Sequence, residues 1–130
     1  TDFTAGGSGD VFDFDNTAFS GVMIRTGFLS LATGEASSAA AGMILYTTSV
    51  GDVTSASTVA AALNTLTGVT SGVERFFLVG DGTDSRMWHW DDASNDGTVD
   101  TGELLSVADI AGVAQGTIGA DNFIDFSAPA

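Results

Sequence analysis

The chain has 130 residues, with seventeen Asp or Glu against three Lys or Arg, a formal charge of −14 at pH 7 and no cysteine. That balance makes nucleic acid and anionic membranes very poor partners, since both are bound through Lys and Arg, and it rules out a disulfide framework. The length suits one domain with a single core, and because much of the apolar content is alanine, nine Phe and two Trp must carry the packing. Divalent cations are the natural counterions of so acidic a chain. No segment approaches the roughly 20 apolar residues of a membrane span, so membrane insertion is not expected. No basic stretch followed by an apolar one opens the sequence, so a cleaved secretory signal is not expected either. The missing initiator Met points to a fragment or a processed product.

Residues 1–9 read as a connector, with Gly6-Gly7-Ser8-Gly9 a flexible turn. Val11-Phe12-Asp13-Phe14-Asp15 alternates, which predicts a half-buried strand with Phe12 and Phe14 inward and an acidic outer face. Asp2, Asp10, Asp13 and Asp15 are candidate ligands of a second metal site; the same pattern is that of a solvated strand face. Residues 22–31 form a strand-like run interrupted by Arg25 and Gly27, and 35–41 a linker of small residues. Residues 43–48 are apolar, aromatic and Thr-rich, as a strand requires. A helix follows: Ser57 is the expected N-cap, 58–66 the body, and Gly68 the stop, with Val59, Leu63 and Leu66 on one face. Residues 73–79 are apolar on both faces from Phe76 on, so they predict a central strand. A turn over 80–85 returns the chain antiparallel through 86–90. Residues 104–113 and a last short strand over 120–126 complete the chain.

Between residues 90 and 104 lies the most specific pattern. Counting Asp92 as position 1, oxygen-bearing side chains fall at positions 1, 3, 5, 9 and 12 (Asp92, Ser94, Asp96, Asp100, Glu103), with Gly97 at 6 and Val99 at 8. This is the spacing of the twelve-residue calcium loop. Calcium is a hard cation that takes six to eight oxygens, so the chain must curl around it. Gly97 permits the curl, the Thr98 carbonyl supplies a backbone oxygen, Asp100 acts through water, and Glu103 closes the shell with both oxygens. Val99 is expected in the adjacent core. Asp, Asn, Ser and Gly are also ordinary turn residues, but turn composition alone does not place Gly at 6 and Glu at 12. The preceding Arg86-Met87-Trp88-His89-Trp90 is strand-like, so the expected fold is mostly β: an antiparallel sheet with one short α-helix and an EF-like calcium loop between strands.

Catalytic constellations are scarce. His89 is the only histidine and sits between two tryptophans, as a structural or surface residue does. No nucleophilic triad spacing, His-rich zinc motif or phosphate loop is present. Trp88 and Trp90 share a strand face, where packing is the ordinary role and stacking on a sugar the alternative. No catalytic residue is expected.

Two stretches carry a resemblance. Thr1-Asp2-Phe3-Thr4-Ala5-Gly6 with Gly9-Asp10-Val11-Phe12-Asp13-Phe14 resembles the segment that leaves the calcium-binding nonapeptide repeats of RTX proteins. The order of Thr58-Val59-Ala60-Ala61-Ala62-Leu63, Asp81-Gly82-Thr83-Asp84-Ser85, the Asp92 loop and Ala120-Asp121-Asn122-Phe123 is similar to C-terminal modules of RTX and S-layer-like bacterial proteins. The resemblance implies a single domain over 1–130: residues 1–20 as the junction leaving an upstream calcium-repeat β-roll, and 21–130 as the C-terminal module. It further implies type I secretion into calcium-rich surroundings and calcium-dependent folding outside the cell. Secretion or surface attachment would be the task, with calcium and a cell-surface component or a second copy as partners. Two alternatives stand beside it: a self-assembling S-layer or filament subunit, and an accessory domain of a secreted hydrolase.

Overall fold

The computed structural model describes residues 3–6, 9–15, 17–23 and 25–126. Five strands form one sheet in chain order: β1 (Gly27–Leu31), β2 (Ala41–Tyr46), β3 (Glu74–Gly80), β4 (Ser85–Asp91) and β5 (Leu104–Ile110). β1 and β2, and β2 and β3, pair parallel; β3 and β4, and β4 and β5, pair antiparallel. The fold is mostly sheet, as expected, but the sheet is mixed rather than antiparallel. The physical reason is the helix. A segment that leaves the end of β2, runs as a helix across one face and re-enters at the start of β3 must set the two strands parallel.

That helix, α2 (Ala56–Leu63), begins two residues earlier than expected. Ser55 is its N-cap, accepting from the Thr58 N–H at 3.2 Å, and Asn64 closes it. Its buried face holds Val59, Ala60 and Leu63, with Leu66 just beyond. The connection 32–40 between β1 and β2 contains no helix. Its backbone is satisfied by the segment after α2 instead: Ser37 N–H donates to Thr67 O at 2.7 Å and Thr67 N–H to Glu35 O at 3.0 Å. At the other end, Asp81 Oδ1 accepts from Thr83 and Asp84 N–H, which fixes the expected turn between β3 and β4.

Alternation along the strands sends side chains into two cores. Ile44, Tyr46, Phe77, Val79, Trp88 and Trp90 pack with α2 on one face. Both tryptophans are therefore core residues, at 4% and 0% exposure. Large side chains buried in this way contribute about 1.5–3 kcal/mol each. Met43, Leu45, Phe76, Leu78 and Met87 face the opposite way, where the two ends of the chain cover them. Phe14 stacks on Phe76 at 4.5 Å and Phe12 on Phe123 at 5.4 Å, so this layer is built from aromatic rings drawn from both ends.

Three expected strands differ here. Residues 11–15 alternate as read, with Phe12 and Phe14 inward and Asp13 and Asp15 exposed, yet make only the bridge Phe12–Phe123. A ladder does not form because Phe14 N–H goes to the Asp125 carboxylate at 2.9 Å. Residues 22–31 divide into a short helix, α1 (Ser20–Met23), and β1. Residues 120–126 hold a 3-10 turn, Ala120–Asn122, before the bridge at Phe123. Asn122, fully buried, ties the ends together: its Oδ1 accepts from Gly6 and Gly119 N–H, and its Nδ2 donates to Gly6 and Asp10 carbonyls.

Candidate metal centre

The loop 92–103 joins β4 to β5 at the end of the sheet where α2 finishes. It winds around Asp92, only 2% exposed. Asp92 Oδ1 accepts from Ser94 Oγ at 3.1 Å and Asp96 N–H at 3.2 Å; Oδ2 accepts from Gly97 N–H at 3.0 Å and, across the chain, Gly72 N–H at 2.7 Å. The winding needs two left-handed residues, Asn95 at φ 59° and Gly97 at φ 74°. A Cβ on Gly97 would also lie 3.1 Å from Val69 O, so the position is crowded as well as left-handed.

Val99 is buried in the α2-face core, as expected. Its grip is one that sequence reading missed: the Asn64 side chain accepts from Val99 N–H at 2.8 Å and donates to Val99 O at 2.9 Å, so the C-cap of α2 carries the loop. Glu103 folds back on the start of the loop. Its Oε1 accepts from Ser94 N–H at 2.9 Å and its Oε2 from the Trp90 indole N–H at 3.0 Å. Asp96 Oδ1 accepts from Thr98 N–H at 2.7 Å, while Asp96, Thr98 and Asp100 are exposed.

Burial pushes the Asp92 carboxyl up, but the N–H groups of Gly72, Gly97 and Asp96 and the Ser94 hydroxyl outweigh it and hold the group below the usual range. Burial acts on Glu103 in the same direction, and Ser94 and Trp90 again outweigh it. Positions 1, 3, 6 and 12 of the spacing are thus brought together, but through N–H and hydroxyl donors. Among the described residues, no group of three or more His, Asp or Glu stands so as to hold a metal ion. The donors are hard oxygens of the kind calcium takes; in this structure the lone pairs of Asp92 and Glu103 face N–H groups.

The second acidic set is not gathered. Asp2 lies outside the described residues. Asp10 Oδ2 accepts from Thr4 N–H at 2.7 Å, Asp15 Oδ1 caps Thr17 and Ala18 N–H, and Asp13 is exposed. Each closes a turn or faces solvent. His89 is packed beside Phe19 and Phe76, with Nε2 at 3.2 Å from Glu74 Oε2.

No protein-family model, no curated protein and no solved structure matches the chain. No helix among those described is long and apolar enough to cross a membrane.

Proposed function

We propose that this chain is a non-catalytic calcium-binding module of a secreted bacterial surface protein of the RTX or S-layer-like kind, in which calcium drives folding outside the cell and so serves secretion or surface attachment. The supporting observation is the convergence of Asp92, Ser94, Gly97 and Glu103 in one loop whose hydrophobic position, Val99, is locked into the core. A loop anchored this way couples an ion to the fold. Asp92, Ser94, Asp96, the Thr98 carbonyl, Asp100 and Glu103 would hold the ion, which supplies positive charge among four carboxylates that otherwise repel. Glu103 would have to exchange the Trp90 indole and Ser94 N–H for the ion.

Titration calorimetry, run on protein first stripped with chelator, tests this. A site is expected, and Glu103→Gln weakens it more than Asp100→Asn, because position 12 gives two direct oxygens and position 9 acts through water. Equal, negligible effects of both substitutions would reduce the loop to a turn.

A second reading, a self-assembling subunit, has its own support. β1 and β5 are the two edges of the sheet, and Leu105 on β5 is 64% exposed. Unpaired edges are templates for strand addition. Light scattering on calcium addition separates the two: a monomer supports the first, growing sheets or fibres the second.

A further inference from the structure

Arg75 stands on the middle strand with none of its surface exposed. It is in register with Phe77 and Val79, opposite Trp90, and so belongs to the α2 face. Nη1 donates to Ser37 Oγ at 3.0 Å and more weakly to the Ser38 carbonyl at 3.5 Å. Among the described residues, Nε and Nη2 meet no acceptor. Among the described residues no carboxylate is in ion-pair range of this guanidinium, in a chain that has seventeen. The charge it feels is Arg25, of like sign; burial, the larger influence, and Arg25 together lower its pKa to about 10, so it remains a cation at neutral pH.

The two unpartnered nitrogens are bonded to one carbon, and their N–H bonds run side by side along one edge of a planar fork. That is the edge with which a guanidinium grips an anion through two parallel bonds. A buried charge without compensation is costly to keep, and here the missing acceptors coincide with one coherent binding edge rather than being scattered.

We propose that Arg75 anchors a site for one small monovalent anion of chloride's size, seated on its Nε–Nη2 edge. The size is bounded by enclosure, since a guanidinium with none of its surface exposed leaves little room for a larger group. The cover is thin on one side: Ser37 and Ser38 are half-buried, and Ala36, Ala39 and Ala40 are exposed. Entry of the ion would require this helix-free connector to shift. The surrounding charge of −14 opposes anion entry at long range, so any binding must come from the local fork and be read at fixed ionic strength.

The experiment is thermal unfolding of the whole chain in chelator, with gluconate replaced stepwise by chloride at constant ionic strength. Chelator removes calcium from the comparison, so this result stands or falls apart from the calcium reading. Wild type is expected to gain about 4–8 °C per tenfold chloride once the site is half filled. Arg75→Met loses that dependence while remaining at least as stable in gluconate. Bromide NMR gives a second measurement: wild type broadens the bromide signal and added chloride sharpens it. A melting temperature indifferent to chloride, or bromide broadening that Arg75→Met retains, overturns the site. Should the variant fail to fold, bromide–chloride competition on wild type decides alone.

Discussion

Two buried polar side chains tie this molecule together, Asp92 at one end of the sheet and Asn122 beside the aromatic layer, and they do so with opposite chemistry. Asp92 collects three backbone N–H groups and a hydroxyl on a single carboxylate. Asn122 makes four bonds of its own, but two as donor and two as acceptor. The amide is neutral and balanced, so its bonds do not depend on pH or on ions. The carboxylate is an acceptor with a net charge, so its loop must respond to protons and, on the proposed reading, to calcium. One clasp is passive; the other is the half that the calcium proposal makes a sensor.

The largest effect should come from breaking the neutral clasp. Asn122→Asp sets a carboxylate against the Gly6 and Asp10 carbonyls and removes both donors, at a cost of about 3–5 kcal/mol by urea unfolding at pH 7. Calcium should leave that loss unchanged. A midpoint close to wild type would show that the two chain ends are held by their rings alone.

Next comes the ion. With a site of ~10 μM and ~1 mM calcium, binding to the folded state adds about 2.7 kcal/mol. The melting temperature should rise by several degrees with calcium and much less with magnesium, which prefers an octahedral shell and keeps its waters. If chelator leaves the melting temperature unchanged, the sensor half of the comparison fails.

Asp92→Asn keeps the shape but turns one N–H acceptor into a donor, costing about 2 kcal/mol near neutral pH. The pH course gives the sign. Asp92 and Glu103 both lie below their unfolded values near 4, so their contribution is complete above that pH and is lost as pH falls through the lower folded values. Unfolding measured from pH 7 to 2 should show this acid limb in wild type and in Asn122→Ala, and a shallower one in Asp92→Asn. An equal limb in all three would show that acid instability comes from elsewhere.

The smallest effect is expected at His89. His89→Gln removes the partner of Glu74 and some contact with Phe19 and Phe76, for under ~1 kcal/mol. Loss of a catalytic turnover with folding intact would overturn the non-enzymatic reading.

Much of the charged half was legible in the sequence, because it is local. The spacing from Asp92 to Glu103 lies in one run, and Val99 sits in the core where that spacing puts it. The strand at 74–80 was legible as central because both its faces are apolar. The parallel pairing of β2 and β3 was available in the strand–helix–strand order, but the strong antiparallel signal at the 80–85 turn outweighed it. The neutral half was not legible. Nothing local says that Asn122 will bond to Gly6, because those residues lie 116 positions apart. Phe12 and Phe14 alternate as in a strand because they face a flat apolar surface, and periodicity reports burial, not ladders. Arg75 broke the apolar pattern of its face, in register with Phe77 and Val79, and that interruption was the signal to follow.

The arrangement of the aromatic layer sets an order of events. Every strand in the sheet pairs with its neighbour in the chain, so the sheet can zip from β1 to β5 through short closures. The layer over Phe76 needs residues from both ends at once, and the Asn122 bonds to Gly6 span 116 positions. That step is expected to come last in folding and first in unfolding. Amides in β2 and β3 should exchange only through global opening, whereas those of Phe12 and Phe14 exchange through a cheaper partial one. A species with its sheet formed and its phenylalanine layer undone would expose a flat apolar face.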